Sequence, residues 1–450
     1  MKKIVLLFLP TFPIVNAQLS VDKDSAISAI ENRISKPVFP VYRINITSYG
    51  AKGDSLTDCK RAFDRAMKHL GKKEGGTLHV PAGTYLVKGP IHFESNVNLH
   101  LEKGARIKFG NDPKDYLPMV LTSWEGTMLY NYSPFLYAYQ KENIAITGEG
   151  ILDGEGSTTW ATWKPKENED KLLSRDMNHD GLPVEERKFG DGHYLRPQLL
   201  QFLESSRILL SGVQFQDSPF WCVHLLKSKN ITIDGISYNA QNKNNDGIDL
   251  EYASDVMIQN VSFNNADDNI AIKAGRDDEG RSNTNTPSEN IIIRNNEFKG
   301  LHALVIGSEM SAGVRNVFME NNVATGYLTR GIYFKTNSDR GGFIKDIYIN
   351  NLKLLEVKDC LFMTANYHGE GNGAHASKIS DVTIANVICE SASDTGIVLE
   401  GYPSKKVENI VLKNIRIKQA MNGLTLKNTK NVVLEEVIIG KEAGTPSAVK

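Results

Sequence analysis

The chain has 450 residues, of which 40% are hydrophobic and 23% are charged, and its formal net charge is −1. These values are typical of a globular protein, and a nearly neutral chain has no overall field that would attract nucleic acid or an anionic membrane. We therefore predict no nucleic-acid partner, and an anionic substrate would have to be held by locally gathered lysine and arginine side chains.

The N-terminal residues, MKKIVLLFLPTFPIVNA, place two lysines before a short apolar run that ends in small residues. This order is typical of a secretory signal peptide, so we predict that residues 1–17 are removed after Ala17. The apolar run is too short to span a membrane. The mature chain, residues 18–450, is predicted to be a single domain that is periplasmic or secreted, without membrane insertion and monomeric.

A helical pattern follows near the start of the mature chain. Thr57 or Asp58 is a suitable N-cap for a helix that runs to about Leu70. Its apolar positions fall on one face: Ala62, Phe63, Ala66 and Met67. We expect this helix to cap one end of the repeat architecture described next.

A nine-residue phrase recurs along the chain, with alternating apolar residues around a central Asn or Gly. Its copies begin at Asn143, Arg207, Asn230, Asp255, Asn290, Asn316, Asp346, Asp381, Asn409 and Asn431. From Arg207 onward, successive copies lie roughly 22 to 35 residues apart, a spacing that indicates a solenoid. Alternation with a period of two indicates strands, so the phrase predicts the coils of a parallel β-helix. Residues 158–196 carry no copy and are highly charged, and we interpret them as an inserted loop.

Four consecutive coils concentrate charged residues when they are aligned on their apolar pairs. One aligned column contains Asp246, Asp268, His302 and Arg330. A second contains Glu251, Lys273, Gly307 and Lys335, and between the two fall Asp249, Ala271, Val305 and Tyr333. Aligned positions in neighbouring coils stack about 4.8 Å apart, so this register predicts one charged surface, with Asp267 beside it.

The stacked carboxylates Asp246, Asp267 and Asp268 suggest acid and base catalysis. Like charges held together repel, and close carboxylates split their pKa values, which supplies an acid and a base at one pH. Inverting glycoside hydrolysis requires such a pair, roughly 6.5–9.5 Å apart. Either motif alone would more simply be turn aspartates, but the shared register with His302 and Lys273 favours a site.

Several stretches resemble glycoside hydrolase family 28, the polygalacturonases. NNDGID resembles the family's NTDGID, DDNIAIK resembles DDCIAIK, LHALVIGSE resembles GHGxxIGS, and YFKT stands where the family has RIKT. YGAKGDSLTD, GGTLHVPAGTYL and VNLHLEKGARI are also similar to that superfamily. The resemblance covers nearly the whole mature chain, and four motifs in order are far more specific than any one of them.

The resemblance implies a right-handed parallel β-helix that hydrolyses α-1,4-linked galacturonate with inversion. By motif, Asp267 would be the general acid, while Asp246 and Asp268 would position and deprotonate the water. His302 would support the acid, and Lys335 would bind the substrate carboxylate. Pectic polysaccharide or oligogalacturonide would then be the substrate, and no cofactor or metal is implied.

Two departures from the family pattern concern substrate binding. Tyr333 replaces the arginine of the family's RIK, and Ala303 replaces the glycine after its histidine. A lysine alone does not replace a bidentate arginine, so we hypothesise that Arg330 compensates. Lys273, Asp249 and, by stacking on sugar, Tyr367 are further candidates for substrate binding.

The insertion 158–196, which ends in GHYLRP, resembles insertions of exo-acting members of the family. Such a loop would close one end of the cleft and restrict cleavage to chain ends. His193 and Arg196 are the candidate wall residues. The alternatives are a hydrolase of decorated pectin, a calcium-dependent pectate lyase and a non-catalytic β-helical carbohydrate-binding protein; the paired aspartates and the histidine argue against the last two. We expect the four cysteines, Cys59, Cys222, Cys360 and Cys389, to be buried small hydrophobes.

Overall fold

The computed structural model describes residues 14–367, 373–441 and 444–448, with side chains described for 23–367 and 373–440. Most of the predicted signal peptide, residues 1–13, lies outside the described residues, as do residues 368–372, directly after Tyr367. No helix in the described part of the chain is long and apolar enough to cross a membrane.

Strands make up most of the described chain. The first half contains β1 (Arg43–Asn45), β2 (Asp54–Asp58), β3 (Gly76–Val80), β4 (Gly83–Val87), β5 (Ile91–His92), β6 (Val97–Leu101), β7 (Ala105–Phe109), β8 (Val120–Trp124), β9 (Thr127–Asn131), β10 (Leu136–Tyr139), β11 (Glu142–Gly148), β12 (Ile151–Asp153), β13 (Lys188–Phe189), β14 (Leu200–Leu203), β15 (Ser206–Ser211) and β16 (Gln214–Gln216). The second half contains β17 (Val223–Leu226), β18 (Lys229–Asp234), β19 (Ser237–Asn239), β20 (Ile248–Glu251), β21 (Ser254–Gln259), β22 (Asp268–Lys273), β23 (Ser288–Arg294), β24 (Glu297–Phe298), β25 (His302–Gly307), β26 (Val314–Lys335), β27 (Phe343–Thr364), β28 (Lys378–Glu400), β29 (Val407–Lys427), β30 (Thr429–Lys441) and β31 (Gly444–Ala448).

These strands wind into a right-handed parallel β-helix, as predicted. The strands of the coils pair in parallel with the equivalent strands of the next coil, whereas β8–β9 and β30–β31 pair antiparallel. The first apolar residues of the repeat phrase stack in one column. That column includes Ile208, Ile231, Val256, Ile291 and Val317. One continuous hydrophobic core extends from Ile46 to Ile439.

Left-handed backbone explains why Asn, Asp and Gly recur in the phrase. The first residue of each copy has a φ between 51° and 59°, and the sixth residue is also in the positive-φ region. Non-glycine residues rarely adopt this conformation, and Asn and Asp tolerate it best. Of the ten first positions only Arg207 is neither Asn nor Asp. The turn chemistry therefore fixes where each coil bends.

The N-terminal capping helix is present but begins later than predicted. Helix α2 spans Lys60–Lys72 with Cys59 at its N-cap, and the predicted apolar face is buried together with Leu70. Thr57 and Asp58 belong to strand β2 instead, where the carboxylate of Asp54 accepts hydrogen bonds from the backbone of Thr57. The extended strand therefore delays the helix by two residues.

An additional helix, α1 (Ile14–Arg33), lies on the outside of the solenoid. Its Ile27 and Ile30 pack against Ile292 and Phe318 of strands β23 and β26. This helix was not predicted, and it runs through the predicted cleavage point at Ala17.

The inserted segment 158–196 lies between β12 and β14. It contains helix α3 (Glu167–His179), which the sequence analysis missed, and strand β13, which joins the antiparallel hairpin β8–β9 in a separate three-stranded sheet. A further short helix, α4 (Asp277–Ser282), follows β22. Short 3-10 turns occur at Ile46–Tyr49, Pro113–Tyr116, Trp160–Trp163 and Val184–Glu186. All four cysteines are buried and unpaired, as expected.

Candidate active site

The predicted register of the four charged coils is confirmed by strand pairing. Ile248, Ile270, Leu304 and Ile332 align across β20, β22, β25 and β26. The same pairing places Asp268 opposite His302 and His302 opposite Arg330. The charged residues therefore share one face of the solenoid.

A cavity of about 440 Å³ lies on this face. It brings together nine of the predicted site residues: Asp246, Asp267, Asp268, Lys273, His302, Arg330, Tyr333, Lys335 and Tyr367. We call this cavity the cleft. Asp249, His193 and Arg196 do not line it.

Asp268 is held between His302 and Lys335. His302 Nδ1 lies 2.5 Å from one carboxylate oxygen, and the ammonium group of Lys335 lies 3.0 Å from the other. Although burial acts in the opposite direction, Lys335 and His302 hold the pKa of Asp268 below its ordinary value of 3.8. Asp268 is therefore an ionised carboxylate over the whole physiological range.

Asp267 and Asp246 have the opposite environment. Burial, and then the negative charge of Asp268, raises the pKa of Asp267 above 3.8. Burial, followed by the neighbouring carboxylates beginning with Asp249, raises the pKa of Asp246 well above the same value. One cleft thus holds a carboxylate whose pKa is lowered beside two carboxyl groups whose pKa values are raised, the combination that acid–base catalysis requires.

Beneath the cleft, Lys273 joins a buried network of charges. Its ammonium group lies 3.2 Å from Glu309 and 3.7 Å from Asp249, and Arg276 donates to Glu309 at 2.6 Å. Asp249 is fully buried, so it supports Lys273 from below and is not placed to touch a substrate. Despite burial, Lys273 and Arg276, with Arg340, hold the pKa of Glu309 well below its usual value.

The two predicted wall residues lie behind the cleft. The guanidinium of Arg196 is fully buried, where it pairs with Glu167 at 3.0 Å and donates to the backbone carbonyl oxygen of Lys243 at 2.9 Å. His193 Nδ1 lies 2.7 Å from Asp170. Arg196 binds helix α3 to the solenoid, because Glu167 lies in the first turn of α3 and Lys243 lies in the coils. His193 and Asp170 join two parts of the inserted segment to each other.

The wall itself consists of residues that sequence reasoning missed. Helix α3 contributes Lys171 and Arg175, the turn before it contributes Lys164, and the β8–β9 hairpin contributes Glu125. The other unpredicted residues that line the cleft are Trp221, Asn244, Arg276, Leu301, Ser308, Glu309 and Arg340. For Lys164, Lys171 and Arg175 the only sequence signal was the high charge of residues 158–196, which does not indicate which side chains face inward.

Positive charge is in excess at the cleft. Eight lysine and arginine side chains line it, against five carboxylates. The raised pKa values of Asp246 and Asp267 act in the same direction, because they favour the neutral form of these two carboxyl groups. This potential suits an anionic substrate.

One group of side chains offers ligand atoms for a cation. Among the described residues, Asp267, Asp268 and His302 present such atoms within 4.8 Å of one another. The ammonium group of Lys335 already contacts Asp268, and a second positive charge at that carboxylate would be repelled by it. The arrangement therefore favours chemistry by the side chains themselves.

Comparison with known proteins agrees with this reading of the cleft. The family described as "Glycosyl hydrolases family 28" matches residues 77–437, and "Rhamnogalacturonase A/epimerase, pectate lyase-like" matches residues 43–102. The chain is 29% identical to a probable polygalacturonase of Vitis vinifera, over 84% of this chain and 74% of the relative. It is 26% identical to an exo-poly-alpha-D-galacturonosidase of Dickeya chrysanthemi, over 83% of this chain and 67% of the relative.

A solved structure is also similar. The exopolygalacturonase from Thermotoga maritima is 36% identical, with a TM-score of 0.85, and the match covers 92% of this chain and 96% of that one. A β-helix with such a cleft and such relatives is a glycosidase. The chain belongs to glycosyl hydrolase family 28.

Proposed function

We propose that the protein hydrolyses α-1,4-galacturonosidic bonds of pectic galacturonan, with inversion, from the chain end. The observation that carries the proposal is the cleft, where Asp268 is ionised beside Asp267, whose pKa is raised, and cations outnumber carboxylates. The cations suit a polyuronate, and the names of the similar proteins support the same substrate.

In the proposed mechanism, Asp267 donates its proton to the glycosidic oxygen as the bond to C1 breaks. A water attacks C1 from the opposite face and gives its proton to Asp268, whose negative charge is held by His302 and Lys335. Asp246 orients that water, and its Oδ1 atom has no hydrogen-bond partner among the described residues, which leaves it available. Inversion requires the water to attack the face of the sugar opposite the leaving oxygen. Carboxylate oxygens of Asp267 and Asp268 lie within 4.8 Å of one another, closer than the roughly 6.5–9.5 Å of most inverting pairs, so the anomer of the product is the test of this assignment.

Exo-action rests on the segment that closes the cleft. Helix α3 and the β8–β9 hairpin place Lys171, Arg175 and Glu125 against it. Arg175 donates to Glu125 at 3.1 Å, which ties the helix to the hairpin. A wall built from two insertions blocks the passage of a long polymer and leaves room for a chain end.

The test is a time course on polygalacturonate that follows both product size and viscosity. We expect saturated monomer from the earliest times with a slow loss of viscosity, and a rate of product release about 10²–10⁴-fold lower from Asp267→Asn. A rapid fall in viscosity with mixed oligomers would contradict exo-action while retaining the substrate. No product from the wild type would contradict the proposed substrate.

Decorated pectin is the second candidate substrate. The observation in its favour is an apolar cluster at the cleft, where Tyr333 packs with Ala271, Val305, Phe362 and Tyr367 in place of the family's arginine. Such a surface suits a less charged sugar. Faster release of product from rhamnogalacturonan oligosaccharides than from oligogalacturonides would select this candidate.

A further inference from the structure

Arg330 differs from Lys273 and Lys335, the other cations on the strands at the cleft, because its terminal N–H groups make no hydrogen bond to the described residues. Lys335 is bound to Asp268 and Lys273 to Glu309. The Nε atom of Arg330 lies 3.3 Å from Asp359 without a hydrogen bond. No hydrogen bond to a described residue occupies the two terminal nitrogens of Arg330. An arginine presents its terminal nitrogens as a fork that matches a carboxylate.

Two aromatic rings hold the guanidinium in place. Its central carbon lies 4.3 Å from the ring centroid of Tyr333 and 4.5 Å from that of Phe362. The two rings occupy adjacent coils at paired positions, and they meet edge to face, with centroids 5.8 Å apart. Cation–π contacts of this kind fix the plane of an arginine without using its donors.

Asp359 orients the guanidinium of Arg330 within the plane that the two rings define. It follows Arg330 in the same aligned column, and it is nearly fully buried. Its other oxygen accepts a hydrogen bond from the backbone nitrogen of Thr395 at 3.3 Å. The buried carboxylate therefore attracts the guanidinium from the Nε side as an ion pair, without a hydrogen bond, and the side chain of Arg330 remains 19% exposed.

The position of this arginine is suited to substrate. Arg330 is paired with His302 of the preceding coil, and both line the cleft with Lys335 and Tyr367. A carboxylate bound to the terminal nitrogens of Arg330 would thus lie one coil away from the catalytic histidine. This is within the span of one sugar unit.

We propose that Arg330, held by Tyr333, Phe362 and Asp359, is the specificity residue that binds the carboxylate of a uronate unit next to the scissile bond. The inference rests on the proposed function and adds to it the chemical group that is recognised. It also explains how the chain tolerates Tyr333, because the aromatic ring positions an arginine three residues away.

The test compares trigalacturonate with its fully methyl-esterified form. We expect Arg330→Met to raise KM for the acid roughly 10- to 100-fold, the effect of losing a charge-assisted pair, with a smaller change in kcat and little effect on the ester. Arg330→Lys should recover part of the loss. Phe362→Leu should produce a milder form of the same shift, because the arginine is then less ordered.

Arg315→Met is the matched control, since Arg315 lies on the same strand β26, is ion-paired to Glu289 and does not line the cleft. An Arg330→Met enzyme with the same preference for acid over ester as this control would overturn the inference while the proposed function stands. Calorimetric binding of trigalacturonate to Asp267→Asn separates the two. If the wild type does not cleave trigalacturonate and the Asp267→Asn variant does not bind it, both the inference about Arg330 and the proposed function are overturned.

Discussion

Asp267 and Asp268 are adjacent in the chain, yet their environments oppose each other. Asp268 is the first residue of β22, and the coil geometry aims it at His302 in the next coil and at Lys335 beyond. Asp267 precedes the strand and faces the negative charge of Asp268. A shift of register by one residue would exchange these environments, since successive strand residues point to opposite faces.

The raised pKa of Asp267 leads to a prediction about both activity and stability. Asp267→Asn should lower kcat by about 10²–10⁴, the usual contribution of a general acid. It should also raise the free energy of unfolding at pH 7. A carboxyl group whose pKa is higher in the folded chain than in the unfolded chain contributes its full stabilisation only at a pH below the pKa of the unfolded chain. As pH rises from that value through the pKa of the folded chain, the unfolded chain loses the proton more readily, and the stabilisation is lost.

The measurement is thermal unfolding of wild type and Asp267→Asn between pH 3 and 8, beside the rates. The stability gain should be largest at neutral pH and should vanish as pH falls below the ordinary Asp value of 3.8. Asp24→Asn serves as the control, because that side chain is 74% exposed. Equal unfolding curves at every pH would show that Asp267 is not held in its neutral form.

At the scale of the element, the repeat phrase specifies the coils through its turns. The sixth residue of each copy is Gly, Asn or, once, Glu, and each has a positive φ. Asn295 is one of these residues, and its exposed side chain makes no hydrogen bond with the described residues. It therefore isolates the effect of backbone conformation.

Asn295→Ala should destabilise the protein by about 1 kcal/mol, the cost of placing an alanine in the left-handed region. Asn295→Gly should be close to neutral, because glycine adopts positive φ without strain. Chemical denaturation measures both. An alanine variant as stable as the glycine variant would mean that the turn conformation does not limit the stability of the coil.

Helices show where sequence reasoning ended. The apolar face of α2 was predictable because Ala62, Phe63, Ala66 and Met67 repeat with helical spacing. Helix α1 was concealed by the signal-like residues before it. Among its described side chains, Ile27 and Ile30 are the buried isoleucines, and they pack in a small cluster outside the main core. Helix α3 is rich in charged residues, and its polar contacts with the solenoid leave no apolar periodicity to recognise.

At the scale of the whole molecule, the cleft combines two kinds of structure. The coils supply the catalytic groups, and their alignment followed from the sequence because stacked repeats share one register. Helix α3 and the β8–β9 hairpin supply the wall. The sequence did not predict that Lys171 and Arg175 line the cleft, because a segment without repeats has no register from which to locate its side chains. Export through residues 1–17 remains a prediction from the sequence.

The central claim is inverting hydrolysis by paired carboxylates, and proton NMR of the fresh product tests it most directly. Trigalacturonate mixed with enzyme in deuterated buffer without calcium should release the β-anomer first, before mutarotation forms the α-anomer, because water attacks from the face opposite the leaving group. Release of the α-anomer first would mean retention through a covalent intermediate. An unsaturated product would mean elimination, and either result would contradict the roles assigned to Asp267 and Asp268.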